Sequence, residues 1–186
     1  ALLKAGFPAT TLSMTVDRAC CSSMTALECA CREIQAGEIE IALAAGAANL
    51  SNVPHLIPGM RWGKKMGDWN VLDVNAGFNY PGFGPVSVDT DNVAAEYDIS
   101  REEMDAWALL SHKRAVKARE NHVLEDYIVS VTGDLPKDEG IRDRMSERLL
   151  KRLPPVLKEG SLITAGNACL THDGAAFVIL CSEKFH

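Results

Sequence analysis

The interval between apolar positions sets the first elements. Met14, Val16 and Ala19 lead as an extended segment into the small-residue stretch from Ala19 to Met24, after which Met24, Leu27, Cys31 and Ile34 recur three, four and three residues apart. That interval puts the side chains on one helical face. Gly37 stands where a helix end takes a left-handed residue, and Ile39, Ile41 and Leu43 then alternate toward Ala44-Ala45-Gly46 as a buried strand. Residues 1–50 therefore read strand, helix, strand.

From Ser51 to Asp89 the periodicity fails, and six glycines, four prolines, Trp62 and Trp69 interrupt any regular pattern. An irregular stretch of this length inside a globular chain is an excursion that covers something. Helical spacing resumes over a short Asp91–Tyr97 segment. Ser100-Arg101-Glu102-Glu103 is a capping-box pattern that opens a helix to about Asn121, with Met104, Trp107, Ala108, Leu110 and Ala115 as its apolar stripe. Tyr127, Val129 and Val131 alternate as a strand with Ile128 on its other face. A charged stretch from Lys137 to Arg152 reads as a solvated loop and short helix, stopped by Pro154-Pro155. Ala175 to Cys181 is a continuous apolar run, the pattern of a strand covered on both faces. The chain is thus α/β, with a large insertion between core strands and no internal repeat.

Composition narrows the class. With 186 residues and 47% hydrophobic content the chain is long and apolar enough for a substantial core. Its longest apolar stretch, Ile41 to Ala48, is far short of a bilayer span, so no membrane span is expected. A formal charge of -6 argues against a general nucleic-acid binder, since counterion release needs a basic excess. Ala1 carries no initiator Met, charged leader or cleavage pattern, which predicts a trimmed start or an internal piece. The six cysteines, with Cys20, Cys21, Cys29 and Cys31 close together and no secretory signal, predict reduced thiols in an intracellular compartment, with cytoplasm, mitochondrion and peroxisome indistinguishable.

Among these thiols Cys20 has a distinct position. It follows the first predicted strand where the next helix begins, and the unpaired N–H groups and positive dipole end of a helix start favour a thiolate over a thiol. The same N–H groups suit a developing oxyanion, and Ala19, Ser22 and Ser23 leave room for a substrate. Taken alone, Cys20 also fits a small packed hydrophobe, and Cys29 and Cys31 fit that description better, since Cys31 shares the Leu27 and Ile34 face. No second cysteine pair or histidine stands at zinc spacing, so no metal site is expected.

Several segments together resemble the thiolase family. Val16-Asp17-Arg18-Ala19-Cys20-Cys21-Ser22-Ser23 is similar to the thiolase segment Val-Asn-Arg-x-Cys-x-Ser-Gly, in which the cysteine matched by Cys20 is the acylated nucleophile. Ala45-Gly46-Ala47-Ala48-Asn49-Leu50-Ser51 resembles the following Gly-Gly-x-Glu-x-Met-Ser, with Ala48 in place of the glutamate. Arg61-Trp62-Gly63, Asn92-Val93-Ala94-Ala95, the capping-box segment, Leu153-Pro154-Pro155-Val156, Thr164-Ala165-Gly166-Asn167-Ala168-Cys169 and Asp173-Gly174-Ala175-Ala176 follow in the family's order. Ordered matches at independent segments are much more specific than one cysteine motif.

The resemblance implies an α/β fold of thiolase type, with αβαβα layers, of which this chain holds most of the N-terminal half with its loop domain. It implies residues 1–50 as the first part of the core, 51–172 as the inserted loop domain and 173–186 as the closing core strand. It further implies a thiolase-type acyltransferase whose Cys20 carries an acyl group, in thiolysis of 3-ketoacyl-CoA or in Claisen condensation of acyl-CoA. Ala165, Gly166 and Cys169 fall on the family's substrate-side surface, where Cys169 replaces a serine and a thiol donates a weaker hydrogen bond. Pro85-Val86-Ser87 replaces the family's Met-Gly region, which predicts an acyl preference different from short-chain acetoacetyl thiolases. Arg61, Lys64 and Lys65 are candidates for CoA phosphates, with a solvated loop face as the alternative.

Coenzyme A is then a substrate or product, no cofactor is held permanently, and the partners are acyl-CoA, CoA and further copies in a homo-oligomer. The family's Gly-His-Pro histidine and its second catalytic cysteine fall beyond His186, and none of the five histidines here sits in that motif. A noncatalytic truncated module that binds CoA or a partner, and another condensing enzyme such as a ketoacyl synthase, are the alternatives.

Overall fold

The computed structural model describes residues 1–75, 86–131, 138–157 and 160–185. The chain divides into two compact units, Ala1–Asn49 with Asp173–His186, and Leu50–His172. Among the described residues no helix is long and apolar enough to cross a membrane.

In the first unit, helix α1 spans Ser22–Gln35 and strand β1 spans Ile41–Asn49. The helix ends as its sequence predicts. Gly37 adopts φ 74°, a region L side chains disfavour, while its N–H donates to Ile34 O at 3.0 Å and that of Glu38 to Glu33 O at 3.0 Å. This Schellman arrangement satisfies the last carbonyls and turns the chain into β1. Strand β1 pairs antiparallel along its whole length with β4, the strand Asp173–Cys181, from Ile41 opposite Cys181 to Asn49 opposite Asp173.

Three expectations differ here. The segment before Cys20 forms no strand and touches the ladder pattern only as a bridge between Arg18 and Cys20. An extended segment becomes a strand only with a partner for its backbone groups, and among the described residues the sheet formed by β1 and β4 has two strands. The face of β1 toward the interior is also the opposite of that expected: Ala42, Ala44 and Gly46 are the less exposed set, while Ile41 and Leu43 lie on the open face. Small residues let the helix backbone come close, which bulky ones prevent. Strand β4, apolar from Ala175 on, is exposed over nearly its whole length, with Phe177 67% and Ile179 65% exposed rather than covered.

The second unit begins with the irregular excursion, which contains a minimal antiparallel pair, β2 (His55–Leu56) and β3 (Leu72–Asp73). Pro85 of the Pro85-Val86-Ser87 segment and Lys137 of the charged stretch lie outside the described residues. Helix α2 spans Val86–Glu96, longer at its start than the spacing predicts, and α3 spans Arg101–Glu120. The capping box at Ser100 is fully formed, with Glu103 N–H donating to Ser100 Oγ at 3.2 Å and Ser100 N–H donating to Glu103 Oε2 at 2.8 Å. The buried positions of α3 are Asp105 and Leu109, whereas Trp107 and Leu110 face outward, so the expected stripe is rotated. Tyr127–Val131 is not a strand: Glu125–Tyr127 is a 3-10 turn, and the residues after it belong to no sheet among the described residues. Helix α4, Glu147–Leu150, closes the charged stretch and buries Leu150 completely, so that stretch is not uniformly solvated. Leu150 joins Ala94, Leu109 and Ile163 in the apolar core of this unit.

Candidate functional site

Cys20 sits on a tight turn whose geometry comes from its neighbours. Ala19 holds φ 47°, a left-handed backbone that a residue with a β-carbon adopts only under constraint. The constraint is visible: Asp17 Oδ1 accepts from Ala19 N–H at 3.0 Å, and Ser22 Oγ both accepts from Arg18 N–H at 2.8 Å and donates to Ala19 O at 2.7 Å. Cys21 and Ser22 N–H donate back to Arg18 O and Ala19 O at 3.0 and 3.1 Å. Five hydrogen bonds thus clamp the peptide units on either side of Ala19 and leave the Cys20 side chain exposed.

The helix start is shifted from the expected place. Cys21 is the residue capping α1 and makes no side-chain cap bond, so Cys20 precedes the first helical residue by two positions. Cys21 and Ser22 spend their N–H groups on the turn, and those of Ser23 and Met24 have no acceptor among the described residues. These remain the donors of the helix start. Ser23 also seats the helix: a β-carbon on Gly46 would overlap its hydroxyl and lie 3.0 Å from its Cβ. Gly46 therefore permits the close crossing of β1 beneath the turn that carries Cys20.

Cys29 and Cys31 are half-buried on α1, in keeping with packing, and all the described cysteines are free thiols. Among the described residues no group of three or more potential ligands is gathered for a metal ion.

Ala165, Gly166 and Cys169 belong to the second unit. Pro155 bridges antiparallel to Thr164, and Val156 N–H donates to Ile163 O at 3.0 Å, so the strand-like residues deliver the chain into a turn at Thr164. Thr164 is fully buried; its Oγ1 accepts from Gly166 N–H at 3.2 Å, and its carbonyl accepts from Ala168 N–H at 2.9 Å. Gly166 lies down on the core, where a β-carbon would overlap Leu150 and stand 2.6 Å from Leu153 Cδ1. Ala165 and Cys169 face outward on either side of that anchor.

The basic loop is partly committed to itself. Arg61, Lys64 and Lys65 are exposed, but Lys64 Nζ donates to Asp68 O and lies 6.0 Å from the centre of the Trp69 ring. His112 Nδ1 accepts from Arg142 N–H at 3.2 Å and His122 Nδ1 is 2.7 Å from Glu125 Oε2, structural roles for both. Sequence reasoning missed the clamp formed by Asp17 and Ser22, the seat at Gly46, and the buried Asp105. Only the four-residue interval from Arg101 to Asp105 hinted at the last.

Comparison with known proteins follows the same pattern. Residues 1–184 match the family model described as Thiolase, N-terminal domain. A probable acetyl-CoA acyltransferase of Staphylococcus aureus (strain COL) is 36% identical over 98% of this chain, and the chain spans 49% of that relative's length. Among solved structures, acetyl-CoA acetyltransferase from Syntrophomonas wolfei matches with a TM-score of 0.88 at 35% identity, over 98% of this chain and 48% of the other. Human mitochondrial 3-ketoacyl-CoA thiolase in complex with CoA matches with a TM-score of 0.92 at 32% identity, again over 98% of this chain and 48% of the other.

Proposed function

Because the chain belongs to the thiolase N-terminal domain family, with an α/β thiolase fold, we propose that the protein containing it is an acyl-CoA acyltransferase with Cys20 as its nucleophile. The observation that carries this reading is the clamped turn, which presents an exposed Cys20 at the start of α1. Coenzyme A is the expected acyl carrier, a reading supported by the human relative's structure in complex with CoA.

In the proposed first stage the Cys20 thiolate attacks a thioester carbonyl, the carbon–sulfur bond to CoA breaks, and CoA leaves as a thiolate that takes up a proton. In the second stage the carbanion of another acyl-CoA, formed by loss of its alpha proton to a base, attacks the acyl-cysteine and releases the Cys20 thiolate. Thiolysis runs these steps in reverse. The N–H groups of Cys20, Ser23 and Met24 are the nearest unspent donors along the chain for the oxyanion of either step. Ala165, Gly166 and Cys169 are assigned to contact with CoA, and the base is assigned to the part of the family's length that this chain does not span.

Incubating the full-length protein with acetyl-CoA should add one acetyl group, located at Cys20 by peptide mapping, and Cys20→Ser should lower turnover by at least about a thousandfold, since a hydroxyl stays protonated at neutral pH. Full activity in Cys20→Ser, or an obligatory adduct on Cys21 alone, would overturn the assignment.

A further inference from the structure

In the second unit a partly buried ion pair reaches the turn that the proposed reading assigns to CoA. Asp105 is 7% exposed on α3, and each of its carboxylate oxygens is used. Oδ2 accepts from Arg101 Nε at 2.8 Å, and Oδ1 accepts from Asn167 Nδ2 at 2.9 Å. Asn167 spends its whole amide at this point: Nδ2 also donates to Leu162 O at 3.0 Å, while Oδ1 accepts from Thr164 N–H at 2.8 Å. Arg101 extends the network in the other direction, its guanidinium donating to Leu150 O at 2.8 Å and to Leu153 O at 3.3 Å. Leu150 and Leu153 are the side chains on which Gly166 rests.

We propose that Asp105, held by Arg101, is a positioning residue that fixes the Thr164–Cys169 turn through Asn167, so that Ala165 and Cys169 are presented to CoA in one arrangement. The inference rests on the reading that this turn contacts CoA, and it adds the residue that sets the turn's shape. Burial gives the network its leverage. A carboxylate removed from water must keep its donors, and a neutral substitute with the same outline changes what each neighbour can do. In Asp105→Asn the new amide either loses the bond from Arg101 or turns its own N–H groups toward the Asn167 amide, which are also donors. Rotating Asn167 to answer this would take its oxygen from Thr164 N–H. The network loses a bond in every arrangement, either from the turn itself or from the Arg101 hold on the residue that anchors it.

The test uses the full-length protein with acetyl-CoA as the probe. Asp105→Asn should speed amide hydrogen exchange across residues 162–169, raise KM for acetyl-CoA about tenfold and leave kcat within about threefold, the cost of one unmet buried hydrogen bond. Should Asp105→Asn fail to fold, Arg101→Lys, which retains the charge beside Asp105 but loses the reach to Leu150 O, should give the same exchange and KM signature. Unchanged exchange in the folded variant would show that the network does not hold the turn and would overturn the inference alone. Faster exchange with unchanged KM would show that the turn is ordered as argued but does not contact CoA, which removes the reading beneath the inference and the positioning role with it.

Discussion

Ala19 and Gly46 use opposite properties of a side chain to place the same thiol. Ala19 is kept at positive φ by the Asp17 and Ser22 bonds on either side, so the turn does not depend on a glycine. Gly46 is needed because it has no β-carbon, since the Ser23 hydroxyl occupies the space where one would stand. Gly46→Val should therefore destabilise the full-length protein by roughly 2 kcal/mol or more through overpacking and displace the turn, reducing the rate of the acylation proposed for Cys20. Denaturant titration and acylation kinetics would measure the two effects, and a variant unchanged in both would show that β1 does not seat the helix start. The Cys20 turn was legible in the sequence because its chemistry is local, a cysteine amid small residues just before a helical spacing. The Gly46 seat was not, because nothing in a lone glycine says which residue lies across from it.

Among the elements, α3 has the start most fully specified by sequence. Glu103 is held below the ordinary carboxylate range, first by the Ser100 backbone N–H and then by the Ser100 hydroxyl. A lowered folded pKa contributes stability that is present above the unfolded pKa and is lost as pH falls through the folded one. The stability difference between the natural protein and Glu103→Gln should accordingly shrink as the solution is taken to acid below the usual glutamate range. Ser100→Ala should cost about 1 kcal/mol at neutral pH, read by thermal or denaturant unfolding. Both ends of that helix were legible, and so was the Gly37 stop of α1, because caps are written in adjacent residues. What faced inward was less so. Ile41 and Leu43 alternate as a buried face would, yet the helix lies on Ala42, Ala44 and Gly46, and Tyr127–Val131 alternates as a strand would but belongs to no sheet among the described residues. Periodicity reports that two faces differ; the neighbour that covers one of them is chosen by the tertiary structure. The link from Asp105 to Asn167 crosses 62 positions of sequence and could not be read locally.

For the whole chain, the open face of the sheet decides behaviour in solution. Residues paired directly across the ladder share a face, so Ile41, Leu43, Phe177, Ile179 and Cys181 form one continuous apolar surface with little to cover it. Expressed as these 186 residues, the chain should self-associate, and light scattering should show species larger than a monomer. A monodisperse monomer with one sharp unfolding transition would overturn that expectation. Arg61 and Lys65 do not change this balance, since a few exposed charges in a loop leave the sheet face as it is.

The order of synthesis follows from the pairing of β1 with β4. Every residue of the second unit leaves the ribosome between Asn49 and Asp173, the two positions that close one end of the ladder. At ordinary elongation rates α1 and β1 therefore wait about ten seconds for their partner strand. The Leu50–His172 unit is continuous and contains its own buried core at Leu109, Leu150 and Ile163, so it can be completed first. The nascent chain thus passes through a stage in which the Thr164–Cys169 turn is built while β1 is still an unpaired edge, and that interval is when a chaperone has most to shield.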